Sequence, residues 1–79
     1  MRLDKWLKVS RIIKRRTVAK EVCDAGKAAV NGRPAKAGTE VKVGDEVTLT
    51  LGSRTLRVRV LATPDTVSAN QAHTLYEEI

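Results

Sequence analysis

The side chains in this sequence that could act on a ligand are cations concentrated near its start. Eight Lys and Arg residues fall within the first twenty positions and Asp4 is the only acid among them, which gives a local net charge of 8 − 1 = +7. This concentration is typical of a surface that neutralises the phosphates of a polyanion and releases its counterions. The eight residues are Arg2, Lys5, Lys8, Arg11, Lys14, Arg15, Arg16 and Lys20.

Most runs of charge in proteins are solvated faces, but two features favour binding here. Cations of one sign repel one another, and few acids stand nearby to offset that repulsion. Arg2, Arg11 and Arg16 are the strongest single candidates, because a guanidinium group can hold a phosphate through two hydrogen bonds. The turn at Asn31 and the cation Lys36 could also reach RNA from beside the basic helices.

Asp4 and Trp6 have structural interpretations. Asp4 is expected to pair with Lys8 one helical turn later, or to interact favourably with the helix dipole. Trp6 belongs to the apolar set of the first helix, so it is expected in the core rather than stacked on a base. A surface without an aromatic platform favours helical nucleic acid over stretched single strands.

No catalytic or metal-binding constellation is evident. Cys23 has no second Cys or nearby His, and His73 has no visible partner. Asp45 and Glu46 are adjacent, which places their side chains on opposite faces of a strand. The sequence therefore predicts a protein that is not an enzyme and uses no cofactor or metal.

Composition indicates one small folded domain. The chain has 79 residues, 42% of them hydrophobic, and a net charge of +6. A lone cysteine is typical of reducing compartments, and no apolar run approaches the roughly 20 residues of a membrane span. We therefore expect a cytoplasmic protein without membrane contact.

The charge divides unevenly along the chain: residues 1–44 carry a net charge of 12 − 4 = +8 and residues 45–79 carry 3 − 5 = −2.

Two short helices must position the cations. Apolar residues recur at helical spacing between Arg2 and Ser10, and Arg2, Lys5 and Lys8 follow another face. A second helix is predicted over about residues 16–25, with Thr17 as its N-cap and Gly26 ending it. Its buried face is expected to contain Val18, Val22 and Ala25, with Ala19 beside them.

A small antiparallel sheet is predicted after the helices. Residues 28–30 form a short strand, the Asn31-Gly32 pair forms a turn, and residues 33–35 return with Pro34 at an edge. Alternating apolar residues then predict a hairpin, with strands around 47–51 and 56–60 and its turn at 52–53. The fold class is α+β, with short N-terminal helices packed on the sheet.

The end of the chain gives weaker signals. A helical turn is expected at Ala69–Ala72, and Leu75, Tyr76 and Ile79 are expected to dock on the core. We divide the chain into a domain at residues 1–60 and an extension at 61–79 that docks on the domain or trails from it. A monomer is expected, since no apolar face is left over once the core is assigned.

The order of residues in the helices and first turn resembles the alpha-L RNA-binding domain, named after small-subunit ribosomal protein S-four, over about residues 1–60. The resemblance implies the helix-on-sheet fold, with RNA held on the helical face. It also implies RNA contacts for the basic positions given above, and the turn at Asn31 and Lys36 fit the same pattern. The residues that carry it are Arg2-Leu3-Asp4-Lys5-Trp6-Leu7, Ser10-Arg11, Lys14-Arg15-Arg16-Thr17, Ala19, Gly26 and Val30-Asn31-Gly32.

More narrowly, the opening of the chain is similar to bacterial ribosome-associated quality-control factors that consist of this domain alone. That similarity implies binding to large ribosomal subunits that carry peptidyl-tRNA, contacts with tRNA and rRNA, and assistance to RqcH in adding C-terminal alanine tails. Three alternatives stay open: a small heat-shock ribosome-binding protein, an accessory to an enzyme such as a pseudouridine synthase or tRNA synthetase, and a general nucleic-acid or DNA-binding protein.

Overall fold

The computed structural model describes all of residues 1–79 and has two helices followed by a five-stranded sheet. The elements are α1 (Leu3–Val9), α2 (Arg16–Asp24), β1 (Ala28–Val30), β2 (Arg33–Pro34), β3 (Glu46–Leu51), β4 (Arg54–Val60), a 3-10 helix (Ala69–Leu75) and β5 (Tyr76–Glu78). The strands pair antiparallel in the order β2-β1-β3-β4-β5. The predicted α+β architecture is confirmed. None of the helices has the length and apolar character that a membrane span requires.

The β3–β4 hairpin forms the centre of the sheet. Its register pairs Val47 with Val58 and Leu49 with Leu56, so the alternating apolar side chains share one face. Val47, Leu49 and Val58 are fully buried on that face. Gly52 takes a positive φ of 63° in the turn, a conformation that glycine adopts without steric cost. The predicted hairpin is confirmed.

The outer face of the hairpin carries a row of ion pairs. Glu46 contacts Arg57 on the neighbouring strand at 3.4 Å and Arg59 at the same distance. Arg59 also donates to Glu77 on β5 at 2.8 Å. The cations on this side of the protein are therefore largely matched by carboxylates of the same sheet.

The core lies between the helices and the inner face of the sheet, and Trp6 is its largest fully buried side chain. Its indole Nε1–H donates to the carbonyl of Ala62 at 3.0 Å. Its ring meets Tyr76 edge-on, with centroids 6.4 Å apart. Trp6 is thus a core residue, as predicted, and it holds the segment after β4 against α1.

The predicted buried face of α2 is wrong at Val18 and Ala25 and only partly right at Val22. Ala19 and Cys23 are fully buried, whereas Val18 is 40% exposed, Val22 is half-buried and Ala25 is exposed. The row at positions 18, 22 and 25 and the row at positions 19 and 23 are both apolar, so helical spacing does not show which of them faces the core. The small side chains at 19 and 23 face inward, which allows α2 to approach the rest of the core closely.

The predicted N-cap of α2 is also wrong. The cap is Arg15, whose side chain makes no capping hydrogen bond, and Thr17 lies inside the first turn. The helix ends at Asp24, one residue earlier than predicted, and Gly26 follows with a φ of 78°. Gly26 therefore ends the helical segment as expected.

The C-terminal segment packs on the sheet in part. Ala72 and Leu75 are buried, and Tyr76 is half-buried in β5, which pairs with β4. Ile79 is exposed, so its predicted docking on the core is wrong. The single helical turn expected at 69–72 is the start of a longer 3-10 helix. The division of the chain after residue 60 stays a prediction.

Candidate nucleic-acid interface

Two arginines from the starts of α1 and α2 meet at one buried carboxylate. Arg2 contacts Asp4 through Nε at 3.1 Å and Nη2 at 3.4 Å, and Arg16 contacts it through Nε at 3.4 Å. The backbone N–H of Lys5 donates to the same carboxylate at 2.8 Å. The Asp4 side chain is only 3% exposed, while both arginine side chains stay roughly half exposed. The cluster thus fixes two guanidinium groups that still face solvent.

This geometry corrects the prediction for Asp4, which makes no ion pair with Lys8. Burial is the largest single effect on the Asp4 carboxyl and raises its pKa, but the hydrogen bonds and charges of Arg2 and Arg16 together hold the pKa below its ordinary value. The carboxylate is therefore ionised at neutral pH and attracts both arginines. The sequence does contain a signal for this role: Asp4 shares a helical face with Leu7, so a lone acid among cations is directed into the core.

The backbone of Arg2 is held by the segment around residue 40. Arg2 forms an isolated antiparallel bridge with Glu40, and the flanking N–H groups of Leu3 and Val41 each donate across this bridge at 2.8 Å. The ammonium group of Met1 also contacts Glu40. Arg2 is therefore fixed by backbone pairing as well as by Asp4.

Arg11 lies in an unusual turn between the helices. Its φ is +63°, and its N–H donates to the carbonyl of Lys8 at 3.0 Å. The buried Ser10 precedes it and donates its hydroxyl to the carbonyl of Leu7 at 3.1 Å. Left-handed backbone costs an L-residue about 1–2 kcal/mol relative to the right-handed form. An arginine at a position that glycine would occupy with less strain favours a role for its side chain.

Five cations of the helical side form no ion pair within the protein, in contrast to Arg57 and Arg59 on the outer face of the sheet. All five are exposed. Their charge is available to an external anion, because no ion pair has to be broken first. They are Lys8, Arg11, Lys14, Arg15 and Lys20. We call them, together with Arg2 and Arg16, the helical cationic surface.

Lys5 lies apart from the unpaired set, because its Nζ contacts Asp65 at 3.2 Å. This contact is solvent-exposed and joins α1 to the segment between β4 and the 3-10 helix. Lys36 is exposed and unpaired in the loop after β2. The roles of both residues in binding stay predictions.

Asn31 has a clear structural task. Its φ is +53° in the β1–β2 turn, its amide nitrogen donates to Asp45 at 3.1 Å, and its amide oxygen accepts from the N–H of Glu46 at 2.9 Å. The turn is thereby tied to the start of β3. Its expected contact with RNA stays a prediction, and no sequence pattern indicated the bonds to 45 and 46.

Comparison with known proteins agrees with the resemblance seen in the sequence. The S4 domain model matches residues 1–47. The RQC P-site tRNA stabilizing factor of Halalkalibacterium halodurans is 56% identical over 77 residues, which cover 98% of this chain and 88% of that protein. The factor of the same name from Streptococcus pneumoniae is 54% identical over 79 residues, covering 100% and 90%.

The fold has a close counterpart among solved structures. The trimeric structure of Vibrio cholerae Heat Shock Protein 15 superimposes with a TM-score of 0.91 and 34% sequence identity, covering 100% of this chain and 81% of that one. The likeness spans the sheet and the C-terminal segment as well as the helices. The predicted fold family is therefore confirmed.

Proposed function

The chain belongs to the S4-domain family, and from this premise we propose that it is an RNA-binding factor of ribosome-associated quality control that performs no chemistry of its own. The names of its most similar relatives support the process, and the family supports the ligand. It would act in the cytoplasm, where ribosomes are found.

The unequal pairing of cations carries this proposal. Arg57 and Arg59 on the sheet form ion pairs with carboxylates, whereas Asp4 is the only acid that forms ion pairs with the seven cations of the helical cationic surface. Repulsion among unmatched cations lowers the stability of the fold unless an anion offsets it. A regular array of phosphates is the anion that suits such a surface.

The ligand we propose is a large ribosomal subunit that still carries peptidyl-tRNA. The helical cationic surface would neutralise phosphates on tRNA and on neighbouring rRNA at once, so that one small domain holds both. Because the second contact is then intramolecular, the tRNA would stay in place for a larger fraction of the time. In this arrangement the chain assists RqcH in C-terminal alanine tailing, and peptide-bond formation stays with the ribosome.

The fixed arginines fit such a clamp. Arg2 and Arg16 are oriented before binding by their contacts with Asp4, so less side-chain freedom is lost when they meet phosphate. Their exposed guanidinium edges can donate hydrogen bonds to phosphate oxygens. The unpaired cations around them would then add affinity without requiring a particular RNA sequence.

Co-sedimentation tests the proposal. The purified chain is mixed with large subunits that carry peptidyl-tRNA, with empty large subunits and with free tRNA. We expect selective recovery with the loaded subunit. The double variant Arg15→Glu/Lys20→Glu should lose that recovery, because both residues are exposed and unpaired and each change reverses one charge.

The matched control is Lys27→Glu/Lys42→Glu, which makes the same change in net charge at two exposed, unpaired lysines outside the predicted set. This variant should still bind. Equal recovery of the unmodified chain in all three mixtures, or displacement by duplex DNA as readily as by structured RNA, would contradict the assignment and leave a general nucleic-acid binder. Purified chain that turned over a substrate unaided would contradict the absence of chemistry.

A further inference from the structure

A groove of about 280 Å³ lies at one end of the core, between the turn after α1 and the hairpin end of the sheet. Four apolar or aromatic residues and three charged residues share its lining. They are Ile12, Leu51, Leu56 and Tyr76, with Arg11, Arg54 and Glu78. None of these positions was assigned to a groove from the sequence.

The strand register explains why the groove exists. Residues 54, 56, 58 and 60 point to the inner face of the sheet because they alternate along β4, and Leu51 joins them through its pairing with Arg54. Val58 and Val60 are fully buried, but Leu56 is half-buried and Leu51 is 36% exposed. The inner face therefore extends past the cover that the helices provide, towards the β3–β4 turn.

This uncovered end corrects one premise of the sequence analysis. We expected no apolar face to remain after the core was assigned, but Leu51 and Leu56 leave one. The side chain of Tyr76 completes it: the ring packs edge-on against buried Trp6, and its remaining surface lines the groove. An aromatic ring beside aliphatic side chains is a surface on which a planar base can stack.

We propose that this groove binds one unpaired nucleobase extruded from the RNA held by the helical cationic surface. The inference rests on the RNA-binding function proposed above. Arg11 connects the two sites, since it belongs to the helical cationic surface and also lines the groove. A phosphate bound at Arg11 would place the adjoining base at the groove, and Arg54 offers a second cation for the same backbone.

Size and chemistry select a base over other occupants. The volume of about 280 Å³ lies at the lower end of the roughly 300–1,000 Å³ of ligand sites, which suits a single base, and a peptide helix would need a longer apolar channel. Its two guanidinium groups outnumber its one carboxylate, which suits a phosphate-bearing ligand. Glu78 can accept a hydrogen bond from an amino group on the edge of the base, as carboxylates do with cytosine N4.

Two RNA hairpins with the same stem test the inference, one fully paired and one with a single bulged cytidine. Binding is measured by fluorescence anisotropy at one salt concentration. We expect the bulged hairpin to bind about tenfold more tightly, as the stacking of one base on an aromatic side chain would give. Leu51→Glu should abolish this preference, because it places a carboxylate in the groove.

Thr50→Glu is the matched control. It adds the same charge on the same strand, but position 50 is exposed and points to the opposite face. This variant should keep the preference, and both variants should still bind the paired hairpin, since the cations of the helical cationic surface outside the groove neutralise its phosphates in both. Circular dichroism checks that both variants fold.

Other results overturn the inference. Equal binding of the two hairpins by the unmodified chain, or failure to bind either of them, would remove the base site and leave the proposed function standing as long as the chain is still recovered with the loaded large subunit. Loss of that recovery as well would remove both. If Leu51→Glu leaves RNA binding unchanged and alters only the mass of the protein measured by sedimentation, the groove is a protein interface.

The chain has one tyrosine, so the NMR resonances of the Tyr76 ring give a test that needs no variant. These resonances should shift with the bulged hairpin alone, and an unchanged signal overturns the base site.

Discussion

Replacing Asp4 by asparagine should destabilise the fold at neutral pH while preserving the shape of the side chain. The carboxylate accepts from Arg2, Arg16 and the N–H of Lys5. If the asparagine oxygen lies towards Lys5, it still accepts from the Lys5 N–H and from Arg2 Nε. Its NH₂ group would then face the remaining guanidinium donors, so two charge-assisted hydrogen bonds are lost.

The size of the loss in stability depends on burial, and in these ion pairs only the carboxylate is buried. Removing one partner of a fully buried ion pair costs about 3–5 kcal/mol. Both arginine side chains are roughly half exposed and recover water when the carboxylate is lost, so the cost should be nearer the value of one charged hydrogen bond, about 2 kcal/mol. For a domain of this size that loss lowers Tm by about 8–16 °C.

The effect should depend on pH. Because the pKa of Asp4 is lowered in the folded protein, its contribution to stability is present above the unfolded pKa of about 3.9 and is lost as pH falls through the folded value. The difference in Tm between the unmodified chain and Asp4→Asn should therefore be full at pH 7 and should narrow below about pH 4.

Thermal unfolding followed by circular dichroism, over pH 7 to pH 3, measures both expectations. The control is Asp65→Asn, which removes an 89% exposed partner of Lys5 and should cost at most about 1 kcal/mol. A loss for Asp4→Asn no larger than that of the control, or a difference in Tm that stays constant with pH, would refute the account of the buried cluster.

Four further measurements test other features. If about six cations neutralise phosphates, the logarithm of the association constant should fall with the logarithm of salt concentration at a slope of roughly −4 to −5, and a slope near zero would contradict the phosphate model. Arg11→Gly should relieve the left-handed strain and raise stability by up to about 1 kcal/mol while weakening RNA binding; a lower Tm would contradict the strain. Trp6→Phe should leave the Ala62 carbonyl without its donor and cost about 1–3 kcal/mol in chemical denaturation, with no loss if that bond is unimportant. Burial raises the pKa of the Cys23 thiol to about 11, so the folded protein should react with iodoacetamide at pH 8 far more slowly than the unfolded chain, and equal rates would contradict its burial.

The elements that sequence reasoning predicted well are those in which local pattern and burial agree. The β3–β4 hairpin is an example, because alternation at Val47, Leu49 and Val58 permits only one inner face once a turn is placed at Gly52. For α2 the pattern was ambiguous. Positions 18 and 19 are both apolar, and the choice of face depends on how closely the neighbouring structure can approach, which local spacing does not contain.

The candidate site shows the same limit. Charge clustering was enough to predict that Lys14, Arg15 and Lys20 share a basic region, but the partners of Asp4 depend on a tertiary contact with Arg16, twelve positions away. The groove was missed for a related reason. It exists because the helical cover ends before the sheet does, and the relative extent of two layers is a property of the packed molecule.

The row of ion pairs on the outer face of the sheet has a consequence for how the molecule moves. Glu46 and Glu77 cancel the charges of Arg57 and Arg59, while most cations of the helical side have no such partner. Net charge of opposite sign in the two parts of the chain, +8 over residues 1–44 and −2 over residues 45–79, gives the molecule an electric dipole. In the field of a polyanion this dipole experiences a torque that turns the helices forward during the approach, and such steering raises association rates by about 10- to 1,000-fold at low salt. The difference in charge between the outer face of the sheet, where the arginines are paired, and the helices thus orients the molecule. The docking orientation begins to be selected at a distance of about one Debye length, before any side chain touches the ligand.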